Sequence, residues 1–434
     1  MTNANNMLEN TLDVYFHSEK VGVLTRQGNR LRFQYTAAYL AEPQANALSH
    51  ELPLIPEEHG FSETEAFFSN LLPEGPLRQQ IARHLKISDK NTFELLRALG
   101  GECAGAVSLY RSGKTPKNTS ENKYLECTRE ILDTLETRPF LVGMNEVRMS
   151  GAGAQNKLMV AFPQGKIAVP LENTPSTHIL KPPIQHVPDS VENEFFCMRL
   201  AKAIGLDVAN AYIWAFENRK YYLTQRYDRI FLDEEGKGSV SRLHQEDFCQ
   251  ALGYPPERKY ENEGGPTLVD CFGLLDDYIR KGQMPGNAKI KFLQAVIFNY
   301  LIGNGDAHSK NFSILYQGQG ANFAPLYDLL SSCIYGDATK QKMAMKISGE
   351  YQFRRVTMKH FEQLAEAVSM RPEFVRNHVW RIVRDIQPKA VKLATELNAS
   401  KETHAATYDK IINVIERHIR YLLLSEQLEI PPEK

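Results

Sequence analysis

The sequence carries no excess of charge of either sign. Its 434 residues include 51 lysines and arginines against 52 aspartates and glutamates, so the formal net charge is −1 at pH 7. A protein whose whole surface attracts nucleic acid or anionic membrane carries a clear positive excess. The balance therefore excludes a global electrostatic attraction to either partner and leaves a local basic patch open.

Long hydrophobic runs are also missing. The most apolar stretch, from Phe292 to Gly303, is interrupted by Gln294 and Asn299, whereas a transmembrane helix needs about 20 mostly apolar residues. The first ten residues contain no basic region followed by an apolar core, as a secretory signal peptide would. We therefore expect a cytoplasmic protein that makes no membrane contact.

Cysteine is scarce, and its spacing does not suggest a metal site. No Cys-x-x-Cys pair occurs, and no paired histidines stand beside a cysteine. This pattern predicts reduced thiols that serve packing, without a zinc site. The six cysteines are Cys103, Cys127, Cys197, Cys249, Cys271 and Cys333.

The remaining composition is that of an ordinary globular protein, with 42% hydrophobic and 24% charged residues. A chain of this length has room for two or three domains. Residues 111–123 are almost entirely polar, which predicts a domain boundary. We place a β-rich domain at residues 1–115, a strand-rich part at 116–230 and a helical part at 231–434.

The first of these domains has a clear alternation pattern. Residues 11–35 alternate apolar and polar side chains in three short runs, which predicts a β-meander. Apolar residues at helical spacing follow from Phe61 to about Leu99, and residues 106–110 have the pattern of a returning strand.

The clearest chemistry lies between Gly303 and Asn311, with Asp328 further on. Asp306 and Asn311 stand five residues apart after an apolar helical run, and two β-like runs precede Asp328. Protein kinases place a catalytic Asp, a metal-binding Asn and a metal-binding Asp in this order. The first carboxylate deprotonates a hydroxyl, while the other two groups hold Mg²⁺ on the nucleotide phosphates. The alternative is a polar helix-to-hairpin turn, since Asp and Asn suit turns.

A run of small residues lies between two predicted strands, at 146–149 and 157–162. Backbone N–H groups in such a loop approach an anion closely because few Cβ atoms stand in the way. A glycine-rich loop within a hairpin is the protein-kinase arrangement, and a plain tight turn is the alternative. The candidate phosphate-binding residues are Ala152, Gly153, Ala154, Gln155, Asn156 and Lys157.

A lysine and a glutamate follow in the order expected of a kinase. The predicted strand Thr177–Lys181 ends in a lysine that would contact the phosphates. A helix from Val191, capped by Asp189 or Ser190, would carry Glu194 in its first turn. There the carboxylate of Glu194 is either simply stabilised by the helix dipole or forms an ion pair with Lys181. Glu192 is the alternative partner for Lys181.

A further hairpin, over residues 211–224, leads into Gln225 and Tyr227. In a kinase, the chain passes here from the strand-rich lobe to the helical lobe. This connection would lie along the adenine and offer backbone groups and an aromatic ring.

At these positions the sequence resembles the HipA toxins, bacterial Ser/Thr kinases of type II toxin–antitoxin modules that are related in fold to phosphatidylinositol 3-/4-kinases. The small-residue loop, the strand lysine, the helix glutamate and the Asp/Asn/Asp group occur in the order that kinases have. Their joint occurrence is stronger evidence than any one of them alone. The resemblance covers most of the chain. The segments that carry it are residues 150–157 (SGAGAQNK), 177–181 (THILK), 242–247 (RLHQED), 259–265 (KYENEGG), 305–313 (GDAHSKNFS) and 326–328 (LYD).

The resemblance implies a role for each matching position. Asp306 would be the catalytic base, Asn311 and Asp328 would bind Mg²⁺, and Ser150 would be phosphorylated by the enzyme itself, which ejects the loop. ATP would be bound by residues 152–157, Lys181, Gln225, Tyr227, His308, Lys310 and Asn311. Members of the family often carry a bulky apolar residue at the position of Gly151, so we expect a looser loop here. Gly305 and Ala307, which flank the base, also depart from the family's usual residues.

We therefore expect an α+β protein. A HipA N-terminal β-rich domain would precede a bilobal kinase-like domain, with its N-lobe at 116–230 and a helical C-lobe at 231–434. The resemblance implies ATP and Mg²⁺ as cofactors and glutamyl-tRNA synthetase as the class of target. It also implies a HipB-like helix-turn-helix antitoxin, through which operator DNA is contacted. The alternatives are a nucleotide-gated co-repressor without catalysis and a small-molecule or lipid kinase.

Overall fold

A computed structural model describes residues 9–116, 122–144, 147–231, 240–336, 341–400 and 406–424. The strands are β1 (Thr11–Phe16), β2 (Glu19–Gln27), β3 (Arg30–Tyr35), β4 (Val107–Arg111), β5 (Tyr124–Glu126), β6 (Leu158–Val160), β7 (Ala168–Pro170), β8 (His178–Lys181), β9 (Ala211–Phe216), β10 (Arg219–Gln225), β11 (Arg229–Phe231), β12 (Val240–Arg242), β13 (Gln245–Asp247), β14 (Ser313–Gln317), β15 (Gly320–Phe323), β16 (Lys342–Ile347) and β17 (Glu350–Gln352).

The helices occupy mainly the second half of the chain. They are α1 (Ala37–Leu40), α2 (Phe61–Ser69), α3 (Gly75–Leu85), α4 (Thr92–Leu99), α5 (Arg129–Thr137), α6 (Ser190–Ala203), α7 (Phe248–Ala251), α8 (Leu268–Arg280), α9 (Ala288–Ile302), α10 (Met358–Ala367), α11 (Pro372–Ala399) and α12 (Thr407–Leu424). Short 3₁₀ turns include Glu261–Glu263 and Ser309–Asn311.

The chain folds into two compact units. The first comprises Met1–Lys181, Thr224–Glu257 and Ile314–Gly320, and the second comprises Pro182–Leu223, Arg258–Ser313 and Ala321–Lys434. The candidate phosphate-binding loop belongs to the first unit, and the candidate catalytic loop belongs to the second.

The first unit begins with an antiparallel sheet in the order β3-β2-β1-β4. Leu12 pairs with Leu24 and Val14 with Gly22 across β1 and β2, and these leucine and valine side chains are buried. The predicted meander and its returning strand are therefore confirmed, because alternating apolar residues bury one face of a sheet.

The predicted helical segment of residues 61–99 is confirmed as α2, α3 and α4. Individual residues at the helix ends determine where α3 ends and α4 begins. Lys86 takes a left-handed conformation (φ 56°) where α3 ends, and Asn91 begins α4 by accepting a hydrogen bond from the N–H of Glu94 at 3.1 Å. Phe67 and Phe68 of α2 are fully buried. Of the predicted boundary at 111–123, residues 117–121 lie outside the described residues.

The strand predicted just before the small-residue loop is absent among the described residues 147–149, while residue 146 lies outside them. Met149 instead forms an isolated bridge with Glu102. The N–H of Glu102 donates to the carbonyl of Arg148 at 2.9 Å, and the N–H of Ser150 donates to the carbonyl of Glu102 at 2.8 Å. These two bonds meet hydrogen-bonding needs of the backbone at residues 148 and 150, which a neighbouring strand of a hairpin would otherwise meet. The strand after the loop is confirmed as β6, where Leu158 pairs with Leu180 of β8.

The second unit is built around α9, which is buried over most of its circumference, as expected of a central helix. Gly303 ends α9 in a left-handed conformation (φ 69°), which glycine adopts without a Cβ clash. The predicted helices near the C-terminus are confirmed as α10, α11 and α12. His418 of α12 makes a 2.8 Å hydrogen bond through Nδ1 to the carbonyl of Tyr300 on α9.

Two details of α6 differ from the prediction. Asp189 makes no side-chain hydrogen bond to the start of the helix, and the hydroxyl of Ser190 accepts a hydrogen bond from the N–H of Ile184 at 2.8 Å. Asp189 therefore occupies the N-cap position, as predicted, but without a side-chain hydrogen bond to the helix, and Ser190 is the first helical residue. Glu192 lies in the first turn, and Glu194 lies just after it because the helix begins at Ser190, one residue earlier than predicted.

All six cysteines are buried free thiols, in agreement with their predicted packing role. Within the part of the chain that the structure describes, none of the helices combines the length and apolar character that crossing a membrane requires.

Candidate active site

The loop after α9 holds Asp306 and Asn311 together. The N–H of Asp306 donates to Asn304 Oδ1 at 3.1 Å, and Asn311 Nδ2 donates to the carbonyl of Asp306 at 2.9 Å. The backbone of Asp306 is therefore fixed on both sides, while its side chain is 50% exposed. A fixed backbone under an accessible carboxylate is the arrangement that a general base requires.

Asn304 connects this loop to its surroundings, and its place beside the motif was the only feature that could have singled it out in the sequence. Its buried Nδ2 donates to Asn299 Oδ1 at 2.8 Å and, at 3.4 Å, to the carbonyl of Asp328. Asp328 has φ 53°, a left-handed conformation that few residues other than glycine adopt. The loop of Asp306 and the segment of Asp328 are thus joined through one asparagine.

Because Gly305 has no side chain, the backbone of Lys342 can lie close to the catalytic loop. Its N–H donates to Ser332 Oγ at 2.8 Å. A Cβ at this position would lie 2.8 Å from both the carbonyl oxygen of Lys342 and Ser332 Oγ. The departure from the family's usual residue therefore has a steric reason in this chain.

His308 and Lys310 lie in the same loop as Asp306. His308 is buried, with Nε2 4.0 Å from Asp306 Oδ1. The side chain of Lys310 is buried as well, and its carbonyl accepts a 2.8 Å hydrogen bond from the hydroxyl of Tyr327. Because Tyr327 directly precedes Asp328, this bond is a second connection between the two carboxylate segments.

Tyr260 contacts the candidate base directly, and its motif carried no assigned role in the sequence analysis. Its hydroxyl donates to Asp306 Oδ1 at 2.5 Å. Its ring meets the ring of His308 edge to face, with centroids 5.1 Å apart. The only signal in the sequence was the segment 259–265, which contributed to the resemblance.

The donor atoms of Asn311 and Asp328 suit Mg²⁺. Asn311 uses Nδ2 on the carbonyl of Asp306, so its other polar atom, Oδ1, is the one left for a metal ion. Mg²⁺ prefers oxygen ligands and is commonly held by one or two protein groups together with substrate phosphates. No cluster of three or more His, Cys, Asp or Glu side chains fit for a metal occurs in the described ranges.

Ser150, in the first unit, is buried at the start of the small-residue loop. Its side chain is 1% exposed, and its hydroxyl donates to the carbonyl of Leu71 at 2.6 Å. With the N–H of Ser150 bound to Glu102, the residue is attached at two points to the segments around 71 and 102.

The loop that follows approaches its neighbours closely at Gly151, and the looser loop stays a prediction. A Cβ on Gly151 would lie 2.3 Å from Met159 Cε and 3.0 Å from Phe140 Cε1. Gly153 (φ 100°) accepts a 3.1 Å hydrogen bond from the N–H of Glu74. Glycine at 151 permits close packing here, where a bulky residue would need more space.

The remaining loop residues differ in exposure. Ala154 is exposed, and Gln155 is partly exposed. Asn156 Nδ2 donates to the carbonyl of Leu135 at 2.7 Å. The ammonium group of Lys157 donates to the carbonyl of Ala152, which closes the loop upon itself. The loop therefore exposes small residues at its tip while both ends are anchored.

A buried charge cluster surrounds the segment of Gln225 and Tyr227. Arg226 donates to both oxygens of Asp228, at 3.0 and 2.7 Å, and Arg229 donates to Glu102 Oε1 at 2.9 Å. Although burial alone would raise the pKa of Asp228, Arg226 and Arg229 lower it. Buried charges are retained when they are paired in this way.

The cluster holds the candidate adenine-binding residues from both sides. Gln225 is partly exposed at the end of β10, and the hydroxyl of Tyr227 donates to Gln245 Oε1. Glu102 belongs to the same cluster and also anchors Ser150 through its carbonyl. One residue of the N-terminal region thus contacts both the loop and the segment 225–229.

Lys181 is buried at the end of β8 in the first unit, and Glu194 is buried on α6 in the second. Their pairing stays a prediction. The rival Glu192 has another partner, since Lys220 Nζ lies 3.0 Å from Glu192 Oε1.

Comparisons with known protein families match both parts of the chain. The model described as the HipA N-terminal domain matches residues 12–110, and the one described as the HipA-like C-terminal domain matches residues 149–392. Among solved structures, the Shewanella oneidensis MR-1 toxin–antitoxin complex of HipA, HipB and operator DNA matches with a TM-score of 0.81 and 27% identity, over 96% of this chain and 100% of that one. The predicted α+β kinase-like fold is confirmed.

Sequence relatives agree with this result. Y4mE of Sinorhizobium fredii (strain NGR234), provisionally named a kinase, is 41% identical over 87% of this chain and 90% of its own length. The Serine/threonine-protein kinase toxin HipA of Shewanella oneidensis is 32% identical over 76% of this chain and 77% of its own. The chain belongs to the HipA family.

Proposed function

We propose that this protein is a Ser/Thr protein kinase that transfers the γ-phosphoryl group of ATP to a serine. The observation that carries the proposal is the half-exposed carboxylate of Asp306 on a backbone fixed by Asn304 and Asn311. In a chain of the HipA family, whose relatives include named kinases, this geometry supports phosphoryl transfer over a plain turn.

In the proposed reaction, Asp306 accepts the proton of the serine hydroxyl as the hydroxyl oxygen attacks the γ-phosphorus. The new bond joins the serine oxygen to phosphorus, the bond from phosphorus to the β–γ bridging oxygen breaks, and ADP leaves with the electron pair. A base contributes to such a step when it lies within about 2.6–3.2 Å of the hydroxyl. The exposed carboxylate of Asp306 is accessible to such an acceptor.

The remaining roles are those that the resemblance to the HipA family implies. Asn311 and Asp328 would hold Mg²⁺, which neutralises charge that develops on the phosphates. Residues 152–157 and Lys181 would bind the phosphates, with His308 and Lys310 near the nucleotide. Gln225 and Tyr227 would bind the adenine, and Glu194 would orient Lys181.

We also propose that Ser150 is an autophosphorylation site. A phosphoserine carries close to two negative charges at neutral pH. Such a group cannot occupy the buried position of the Ser150 hydroxyl against the carbonyl of Leu71. Phosphorylation would therefore expel the loop and weaken ATP binding, so that the enzyme limits its own activity.

At the biological level, we propose that the chain is the toxin of a toxin–antitoxin pair and arrests growth by phosphorylating a glutamyl-tRNA synthetase. Its partner would be a HipB-like antitoxin, which would carry it to operator DNA for co-repression. The Shewanella structure that it resembles contains HipA, HipB and operator DNA. The proposed domains are the β-rich domain 1–115, the N-lobe 116–230 and the C-lobe 231–434.

A transfer assay tests this proposal. Purified protein is incubated with Mg²⁺, γ-labelled ATP and glutamyl-tRNA synthetase, with a second aminoacyl-tRNA synthetase as the control acceptor. We expect label on a serine of the first synthetase only, and none with the Asp306→Asn variant. ATP binding without transfer to any protein, including the chain itself, would refute the kinase proposal. Label on other proteins only would refute the proposed target.

A further inference from the structure

We propose that the hydroxyl of Tyr260 occupies the position of the acceptor hydroxyl on Asp306 and must leave before phosphoryl transfer. The inference rests on the proposed kinase activity and adds a device that controls access to the base. Three observations within the second unit support it: the contact itself, the independent support of the base, and the attachment of the Tyr260 loop to β16.

The contact has the geometry of a bound acceptor. Tyr260 donates its hydroxyl proton to Asp306 Oδ1 at 2.5 Å. An acceptor serine must place its hydroxyl proton within hydrogen-bond distance of the same carboxylate before the proton is transferred. Two hydroxyl groups cannot donate to Oδ1 from the same direction, so Tyr260 competes with serine and with water for this oxygen of the carboxylate.

The backbone of Asp306 does not depend on Tyr260 for its placement. The N–H of Asp306 is bound to Asn304, and the carbonyl of Asp306 accepts hydrogen bonds from Asn311 Nδ2 and from the N–H of His308, at 2.9 and 2.8 Å. These contacts fix the backbone from within the catalytic loop. Tyr260 differs from them because it contacts a carboxylate oxygen, which is where an acceptor hydroxyl would donate its proton.

Tyr260 belongs to a compact loop at residues 258–265. Its carbonyl accepts hydrogen bonds from the N–H groups of Glu263 and Gly265, at 3.0 and 2.9 Å. A Cβ on Gly265 would lie only 2.1 Å from the carbonyl oxygen of Arg258. The loop is therefore closely packed around the carbonyl of Tyr260.

The next residue attaches this loop to β16. Glu261 Oε2 accepts a 2.6 Å hydrogen bond from the N–H of Lys346, and Glu261 Oε1 lies 3.4 Å from Lys346 Nζ. A protein acceptor that displaces β16 would carry the loop with it through this pair. Tyr260 would then leave Asp306 when a correct acceptor binds, and it would exclude water at other times.

ATP hydrolysis tests the proposal because it needs no knowledge of the protein acceptor. Tyr260→Phe keeps the ring against His308 and removes only the hydroxyl. The assay is run in a Ser150→Ala background, so that self-phosphorylation does not end the reaction. We expect kcat for hydrolysis to rise about tenfold, which corresponds to the loss of one competing hydrogen bond to a charged group, while KM for ATP stays unchanged.

Three further variants complete the experiment. Tyr212→Phe, at an exposed tyrosine of β9, is the matched control and should leave hydrolysis unchanged. Asp306→Asn in the Tyr260→Phe background should abolish the gain, because the water is activated by the same carboxylate. Glu261→Gln, which weakens attachment to Lys346, should give a smaller rise in hydrolysis than Tyr260→Phe.

The outcomes separate the two proposals. A kcat for Tyr260→Phe that is unchanged, or lower than that of the parent, overturns the inference while the kinase proposal stands. A fall of tenfold with unchanged KM would make Tyr260 a positioning residue for the base. If every variant binds ATP and none hydrolyses or transfers it, both the kinase proposal and this inference fail.

Discussion

The hydroxyl of Ser150 donates a hydrogen bond to the backbone carbonyl of Leu71 at 2.6 Å, and the side chain is 1% exposed. The small-residue loop is thereby attached to the end of α2 in the same unit. A neutral hydroxyl fits this position, whereas an anion there would face a carbonyl oxygen without water to solvate its charge.

We therefore predict that Ser150→Asp expels the loop. Isothermal titration calorimetry should show ATP binding weakened at least tenfold, and limited proteolysis should cut the loop faster. Ser150→Ala is the control. It leaves the carbonyl of Leu71 without its donor, which lowers the free energy of unfolding by about 1–3 kcal/mol, but it should change ATP affinity little. Equal ATP affinities for the two variants would contradict the prediction.

The assignment of Asn311 as a metal ligand predicts a specific defect. Asn311→Ala removes both Oδ1 and the 2.9 Å contact to the carbonyl of Asp306. The Mg²⁺ concentration for half-maximal phosphoryl transfer should rise about 10–100-fold, and chelation of Mg²⁺ should stop transfer in the parent protein. Asn322→Ala, on β15, is the control and should leave the Mg²⁺ dependence unchanged. An unaltered Mg²⁺ requirement for Asn311→Ala would remove Asn311 from the metal site.

The backbone of Gly305 lies so close to Lys342 that adding a methyl group at residue 305 should destabilise the protein. In Gly305→Ala, the new Cβ would lie 2.8 Å from the carbonyl oxygen of Lys342, and backbone cannot move as readily as a flexible side chain. The free energy of unfolding should fall by about 1–3 kcal/mol, measured by urea denaturation. Gly286→Ala has no neighbour within 4 Å and should be close to neutral. If neither substitution changes the free energy of unfolding, the backbones of Gly305 and Lys342 are farther apart in solution than in the structure.

Glu246 predicts a pH dependence of stability. Its carboxylate is fully buried in the first unit and accepts hydrogen bonds from Ser49 Oγ at 2.5 Å, from the N–H of His50 at 3.0 Å and from the hydroxyl of Tyr316. Burial raises its pKa to about 7, against the opposing effect of these donors. Between its unfolded pKa, near 4.5, and pH 7, the folded state holds the proton more tightly than the unfolded state does.

The free energy of unfolding should therefore fall as the pH rises from about 4.5 to 7, by up to about 3 kcal/mol from this group. Glu246→Gln mimics the protonated form and should remove this component. The test is the difference in unfolding free energy between parent and variant, measured at several pH values. A difference that does not change between pH 5 and 7.5 would show that Glu246 is ionised throughout this range.

The sequence predicted the elements whose signals are local. Alternation in residues 11–35 identified the first sheet, and the apolar run before Gly303 identified α9. Details that depend on contacts distant in sequence were not predictable in this way. Met149 bridges Glu102 and not a hairpin partner, and Gly151 packs against Met159 and Phe140, which no local pattern encodes.

The same division applies to the candidate site. The spacing of Asp306 and Asn311 was sufficient to place both in one loop, and the structure joins them by a hydrogen bond. Tyr260 lies 46 residues away from Asp306 in the chain, so its contact with the base required the fold. The cluster of Glu102, Arg226 and Arg229 spans 127 residues and was missed for the same reason.

The most direct test of the central claim is intact mass spectrometry with phosphosite mapping of the purified, phosphate-free protein after incubation with Mg²⁺ and ATP, alongside the Asp306→Asn variant. We expect one added phosphate on Ser150 of the parent protein and none on the variant. A separate binding measurement should show that both proteins bind ATP. If neither protein gains phosphate although both bind ATP, Ser150 is not an autophosphorylation site. If the variant gains phosphate as the parent does, Asp306 is not the base.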